Sequence, residues 1–338
     1  IGRCLKSLTH QTYSNIEIIV VNDASTDRTL ARAQAFAKDS RVKIINHRKN
    51  TGAYIARSDG VSRAKGEYCL FVDSDDWIEP STVKKLVTYF NADKKLDMIR
   101  FNFCSEKGAK RKSPYHINGA NIKCFNRPEQ IKLLAGLNNY LNSVANCAYK
   151  TAIVRDCISG PQKLSYAEDF LLNIRIIKQH KNLQLGFIND ELYHYCYRQD
   201  STTKSKSQSS IIKNLQDQST MLLELEDLCA KQRDVAIYHS AVIKILYATR
   251  SLLFCLLMCE DITKQEFLNA AKTYTSEPVL KKIRSQVPAP LLRKIIRQQS
   301  ILFRLKYRRD IRCIYEQNLS PLWRRVWFYR IRRFLKNA

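Results

Sequence analysis

Asp73, Ser74, Asp75 and Asp76 follow directly on the hydrophobic run LFV, with Trp77 and then Pro80 behind them. Carboxylates packed this densely repel one another unless a cation is near. Hard divalent ions such as Mg2+ or Mn2+ take oxygen ligands, and one or two carboxylates plus phosphate oxygens satisfy their coordination. An acidic turn capping the helix that Pro80 opens is the competing reading of the same residues. Asp23 stands just past the run IEIIVVN, where its carboxylate can accept from a nucleobase or ribose or simply hold a turn, while Ser25 and Asp27 cap the next helix. In KNTGAYIARSDG, Gly52 marks a tight turn and Arg57 follows on a helix, either within reach of the same crevice or solvated. Glu168 and Asp169 open the helical stretch FLLNIRIIKQ, a placement that by itself stabilises a helix N-terminus.

The elements around these residues place them on one edge. Residues 16–22, 42–47 and 67–72 are β-rich runs, and amphipathic stretches beginning near Ser25 or Thr26, at Thr51 and at Pro80 alternate with them. That alternation predicts an α/β fold with a mostly parallel sheet flanked by helices. Ligands of open α/β sheets bind beyond the carboxyl ends of the strands, so the loops after Val21 and Val72 point at one crevice. A further strand is expected from Leu96 to about Cys104, then a basic stretch over 107–119 and a mixed pattern from Ile122. After the Ser/Lys-rich segment 201–210 the chain reads as helices almost to its end. The boundary is therefore placed there, with a first domain over 1–205 and a mainly α-helical, basic region over 206–338.

Taken in order, QTYSNIEIIVVNDASTD, NTGAYIARSDG, AKGEYCLFVDSDDWIEP and YAEDFLLNIRI resemble the family 2 glycosyltransferases of bacterial capsule and lipooligosaccharide synthesis, over roughly residues 1–203. The resemblance implies a GT-A (Rossmann-like) fold and inverting transfer from a nucleotide-sugar donor, with a UDP-sugar expected. It places Asp23 on the nucleotide base with Arg57 nearby. Asp73-Ser74-Asp75 corresponds to the family's DxD motif, so Asp75 is the expected ligand of Mn2+ or Mg2+, Asp73 lies nearer the ribose or sugar, and Asp76 is an extra carboxylate. Glu168-Asp169 matches the catalytic pair. Inversion needs one base to strip the acceptor hydroxyl, a role expected of Asp169, with Glu168 positioning it or the acceptor. The phrase YHYCYRQDSTT adds Arg198 and Ser201 as diphosphate-holding residues, and His194 as a packed or catalytic histidine. The motif-bearing strand that precedes the helix at Arg3–Leu8 in the family is not in the sequence, which reads as N-terminally truncated.

Composition narrows the setting. With 338 residues, 45% of them hydrophobic, the chain can bury a sizeable core. Eleven cysteines without a CxxC pair point to reduced thiols and a cytoplasmic compartment. The longest uncharged apolar run, Leu252 to Cys259, is far short of a membrane span. Of the net charge of +26, nearly half lies between Leu291 and Ala338, where fourteen Lys or Arg face only Asp310 and Glu316. On a terminal helix, Trp323, Val326, Trp327, Ile331 and Phe334 would share a face opposite Arg325, Arg332 and Lys336. That pattern suits the anionic inner face of a membrane and a lipid-linked glycan acceptor; no recognition motif supports nucleic acid. Two other readings remain: a haloacid-dehalogenase-type phosphatase, whose DxD comes at the start of the fold, and a basic membrane- or nucleic-acid-binding adaptor on a degenerate transferase fold.

Overall fold

A computed structural model describes residues 1–106, 122–138, 141–158, 164, 166–197, 207–257, 259, 262–275, 278–299, 301–317 and 321–322. The chain divides into two compact units, Ile1–Gln130 with Tyr140–Gln199, and Ile131–Asn139 with Asp200–Ala338.

The first unit begins with α1 (Gly2–Thr9), β1 (Ile18–Asn22), α2 (Thr29–Gln34), β2 (Val42–Asn46), α3 (Ala53–Arg63) and β3 (Tyr68–Leu70). It continues through β4 (Trp77–Ile78), α4 (Thr82–Ala92), β5 (Met98–Glu106), β6 (Lys123–Phe125), α5 (Arg127–Ala135, which runs on into the second unit), β7 (Cys147–Lys150), α6 (Thr151–Cys157), α7 (Glu168–Gln179) and β8 (Leu185–Cys196). β1 and β2 pair in parallel, Ile18 opposite Val42. A second sheet has the order β3-β7-β5-β8-β4, with β6 also on β8.

The α/β class holds, but the sheet is mixed rather than mostly parallel. β5 and β8 run parallel, while β3–β7, β5–β7, β4–β8 and β6–β8 are antiparallel. Regular β–α alternation extends only to α4. β4, β6 and β7 are 2, 3 and 4 residues long, too short to carry a period from which direction can be read. Two helix starts also lie later than expected. α2 begins at Thr29, and Asp27 precedes it, accepting from Thr29 N–H at 2.9 Å. α4 begins at Thr82 because the chain first adds Trp77–Ile78 to β8.

Apolar burial explains both layers. Ile78, Leu86, Phe90, Leu96, Ile99, Phe101, Ile188 and Leu192 close over the larger sheet. Leu5, Ile18, Ala33 and Val42 close over the smaller one.

In the second unit, α8 (Gln208–Ala230), α9 (Val235–Leu257), α10 (Lys264–Thr275), α11 (Pro278–Gln286), α12 (Ala289–Arg297) and α13 (Ile301–Tyr315) follow one another. Contrary to the expectation from uncharged runs, α9 is long and apolar enough to cross a membrane, with a mean hydropathy of 1.6 over 18 residues. Of that window, 61% is buried within the protein. Its interrupting charges are accommodated there: buried Lys244 donates to Leu134 O at 2.8 Å, and Arg250 pairs with Asp310 at 3.2 Å. Burial pushes the Lys244 ammonium down to about 7. No disulfide links any of the eleven cysteines. The terminal segment 323–338 lies outside the described residues.

Candidate active site

Asp23 directly follows β1, and the chain turns there through Ala24 in the left-handed region, φ 54°. Its carboxylate is saturated from one loop. Oδ1 accepts from Thr51 N–H at 2.8 Å, Thr51 Oγ1 at 2.7 Å and His47 Nδ1 at 2.8 Å, and Oδ2 accepts from Gly52 N–H at 2.7 Å. Gly52 has φ +91°, and a Cβ there would stand 3.3 Å from Leu164 O, so both conformation and space select glycine. Asp23 thus caps the loop that opens α3, where backbone N–H groups lack partners. Burial alone would raise its carboxyl, but the bonds from His47, Thr51 and Gly52 hold it below the usual carboxylate range.

Arg57 lies five residues beyond Gly52, about 7.5 Å along the helix axis. Its guanidinium joins three carboxylates from two distant segments: Asp73 at 3.1 Å, Glu168 at 3.0 Å and Asp169 at 2.6 Å. Arg57, Glu168 and Asp169 are largely buried, whereas the Asp73 side chain is 42% exposed. Burial works against the charge on Arg57, but the Asp169, Asp73 and Glu168 carboxylates more than offset this and hold it firmly protonated. One cation among three carboxylates cannot neutralise them all. Asp169 bears the consequence: burial pushes its carboxyl up to about 6, Arg57 opposes the rise, and Glu168 and Asp73 add to it.

Asp169 sits in the first turn of α7, entered through Ala167 in the left-handed region, φ 61°. Its Oδ2 accepts from Val144 N–H at 3.2 Å and Ser143 Oγ at 3.4 Å. The 141–144 loop that supplies these donors is pinned by fully buried Asn173, whose Nδ2 donates to Leu141 O at 2.8 Å and whose Oδ1 accepts from Tyr149 at 2.8 Å. Sequence reasoning missed Asn173. Its signal is an amide inside the apolar run FLLNIRII, where a polar group must find partners.

Behind the acidic loop, Tyr193 and Cys196 on β8 fix Asp76. Tyr193 Oη donates to Asp76 Oδ2 at 2.6 Å and receives Asp73 N–H at 3.2 Å, while Cys196 N–H reaches Asp76 Oδ1 at 2.7 Å. Asp76 is 1% exposed and burial pushes it up to about 6, so it anchors the loop and does not face the crevice. Asp75 stands between, partly exposed, with its carbonyl accepting from Arg3 at 2.9 Å. His194 packs away from the Arg57 cluster, stacked on Trp77 with centroids 3.5 Å apart and bonded to Glu79 at 2.6 Å. His47 and Tyr193 were also not singled out in the sequence. His47 is marked only by its position at the carboxyl end of β2, where it bridges Asp23 and Asp59.

The structure therefore brings Arg57, Asp73, Glu168 and Asp169 into contact, with Asp75 next along the loop and Asp23 at the head of the same helix as Arg57. Arg198 and Ser201 lie outside the described residues. Asp73 and Asp75 offer only oxygen donors, the chemistry of a hard divalent ion. Among the described residues no group of three or more His, Cys, Asp or Glu converges as a metal cage. That donor set fits an ion held by one or two carboxylates and completed by water or ligand phosphates.

Residues 1–158 match the model of the family described as glycosyl transferase family 2. The putative glycosyltransferase EpsH of Bacillus subtilis (strain 168) is 42% identical over 107 residues, covering 31% of this chain and 30% of that protein. The uncharacterized glycosyltransferase EpsJ of the same organism is 28% identical over 222 residues, 64% of this chain and 63% of its own length. The chain thus spans less than two thirds of these curated relatives. In fold it is similar to the crystal structure of S. aureus TarS 1–349 in complex with UDP, with a TM-score of 0.64, 19% identity and coverage of 95% of this chain and 88% of that one. Motif order, site geometry and GT-A-like fold agree with the family model, and residues 1–158, just under half of the chain, are similar to the family 2 glycosyltransferases.

Proposed function

We propose that the protein is an inverting glycosyltransferase that moves a hexose or N-acetylhexosamine from a UDP-sugar to a surface glycan acceptor of the capsule or lipooligosaccharide kind. The observation that carries this reading is the Arg57 cluster, which gathers Asp73 and the Glu168-Asp169 pair from segments about a hundred residues apart onto one helix. Asp169 is the general base. A carboxyl raised to about 6 is ionised at neutral pH yet basic enough to take a proton from a hydroxyl as it attacks. Val144 N–H and Arg57 fix its direction, and Glu168 positions the acceptor beside it. Asp23 orders the loop at the nucleotide end of the crevice, and Arg198 and Ser201 hold the diphosphate.

Asp75, with Asp73, would hold Mn2+ or Mg2+, whose charge when bound offsets that developing on the departing diphosphate. Arg57 restrains Asp73 at 3.1 Å, and Asp75 stands partly exposed two residues further along the same loop. Residues 1–205 act as the catalytic domain, and the basic region 206–338 docks to acceptor or membrane, placing the enzyme peripherally at the cytoplasmic face.

Isothermal titration of UDP with and without Mn2+, on wild type, Asp75→Ala and Asp169→Asn, tests this. Binding that requires metal, is lost in Asp75→Ala and survives in Asp169→Asn is expected. If no nucleotide binds under any condition, the donor site is wrong and the basic adaptor becomes the better reading.

A further inference from the structure

Two helices of the second unit each carry an i, i+4 pair of arginines. Arg293 and Arg297 lie on α12, Arg308 and Arg312 on α13, and all four line one shallow surface cleft, open to solvent and enclosing only about 20 Å3, with buried Ile296 among its walls. Like charges at this spacing repel along one helix, and two such pairs turned to a common cleft repel across it as well. Arg312 is partly offset by Glu316 at 3.3 Å. Among the described residues, no carboxylate pairs with Arg293, Arg297 or Arg308. The other acid nearby in sequence, Asp310, is 2% exposed and pairs with Arg250.

Solubility alone does not require this arrangement, because α12 and α13 have other exposed positions for charge. Lys294 and Arg309, one residue from cleft arginines, are exposed and do not line it. Guanidinium forks match phosphate oxygens in pairs, and four converging forks neutralise a phosphate group with directional bonds that ammonium groups do not supply.

We infer that the cleft between α12 and α13 is a phosphate-binding site, formed by Arg293, Arg297, Arg308 and Arg312, for a phosphate ester carried on an anionic lipid headgroup or on a soluble molecule. It lies in the other unit from the acidic site, and its test involves neither UDP nor transfer, so this inference and the transferase reading fail separately.

The test compares Arg297→Ala/Arg308→Ala with Lys294→Ala/Arg309→Ala in the full chain, two pairs that remove the same charge from the same helices. One arm measures binding to phosphatidylcholine vesicles with and without phosphatidylglycerol; the other measures the thermal shift given by inorganic phosphate over chloride at matched ionic strength. If the carrier is lipid, the cleft pair loses roughly thirtyfold in affinity for the anionic vesicles and the control pair only a few-fold. If it is soluble, vesicle binding is the same for both pairs and the phosphate-specific shift disappears in the cleft pair alone. Arg297→Lys/Arg308→Lys, which keeps the charge and removes the forks, is expected to show the same selective loss in weaker form. Cleft and control pairs behaving alike in both arms, or lysines fully replacing the arginines, would overturn the site in favour of diffuse surface charge.

Discussion

Asp23 and Asp169 are the same residue type meeting α3 at two places, one at the loop that enters it and the other at Arg57, and their surroundings drive them in opposite directions. Asp23 receives hydrogen bonds from the His47–Gly52 loop on both oxygens, and its carboxyl is held below the usual range. Asp169 shares one guanidinium with two other carboxylates inside a largely buried site, and its carboxyl rises to about 6. A carboxylate satisfied from every side holds structure together. One left short of partners retains the basicity that proton transfer requires.

The largest expected effect follows from removing that basicity. Asp169→Asn should lower turnover, measured as UDP release from the best donor in a nucleotide-sugar screen, by about a hundred- to ten-thousand-fold, with UDP affinity within a few-fold of wild type. Stability should move the other way. Because the folded state holds the Asp169 proton up to about pH 6 and the unfolded chain releases it near ~4, ionisation costs stability as pH rises through that window. At pH 7 the Tm of Asp169→Asn should therefore be no lower than that of wild type, and any advantage should vanish below pH ~4. A clear loss of stability at pH 7 would mean that the Arg57 ion pair outweighs burial, removing the contrast with Asp23.

Next in size is Arg57 itself. Arg57→Met withdraws the cation that opposes the rise at Asp169, so the acidic limb of the activity profile, expected near pH 6 in wild type, should move upward as the maximum rate falls. Arg57→Lys should recover part of the limb's position but less of the rate, since an ammonium cannot span Asp73 and the Glu168-Asp169 pair as a fork does. An unmoved limb in both variants would show that the titrating group is elsewhere. Asp76, also raised to about 6, is then the next candidate.

Asp23→Ala comes third. It leaves Thr51 and Gly52 N–H and the His47 ring without their acceptor, a loss of about 2 kcal/mol by the measure of helix caps and charged hydrogen bonds. The pH sign is opposite to that at Asp169. A lowered carboxyl gives stability that is present above pH ~3.9 and disappears as pH falls through the folded-state value. Wild type and Asp23→Ala should therefore differ in Tm at pH 7 and converge under strong acid, with UDP affinity reduced because the loop loses its order.

The two sites were not equally legible in the sequence. Asp23, Gly52 and Arg57 fall within a hundred residues of regular strand–helix alternation, so their common edge follows from periodicity, and the left-handed φ at Gly52 follows from its residue type. Glu168-Asp169 lies beyond β4, β6 and β7, strands too short to carry a readable period. Only the family resemblance tied it to Asp73, and the Arg57 bridge required coordinates. Tyr193, Asn173 and His47 escaped for a related reason. Each acts by orienting another group, and that role depends on a partner 24 to 120 residues away in sequence. Every antiparallel pairing involves β7 or β8, strands that come after α4, where the alternation that predicts a mostly parallel sheet has ended.

The smallest expected effects concern the backbone entering each site. Ala24 (φ 54°) and Ala167 (φ 61°) both occupy the left-handed region, where a Cβ costs about 1–2 kcal/mol and glycine costs little. Ala24→Gly and Ala167→Gly should each raise stability by up to about 1 kcal/mol, part of the relief being offset by the greater freedom of glycine in the unfolded chain. At Ala24 that should be the whole effect, because the hydrogen bonds to the Asp23 side chain fix its position independently of the turn. At Ala167 the turn sets where α7 begins, and Asp169 has fewer hydrogen bonds to hold it. Turnover should fall there by up to a few-fold while the melting temperature rises, a stability–activity exchange of the kind found where strain is kept at a reactive group. Equal behaviour of the two variants in the UDP-release assay would place the strain at Ala167 outside the positioning of Asp169 and leave Arg57 and Val144 to do that alone.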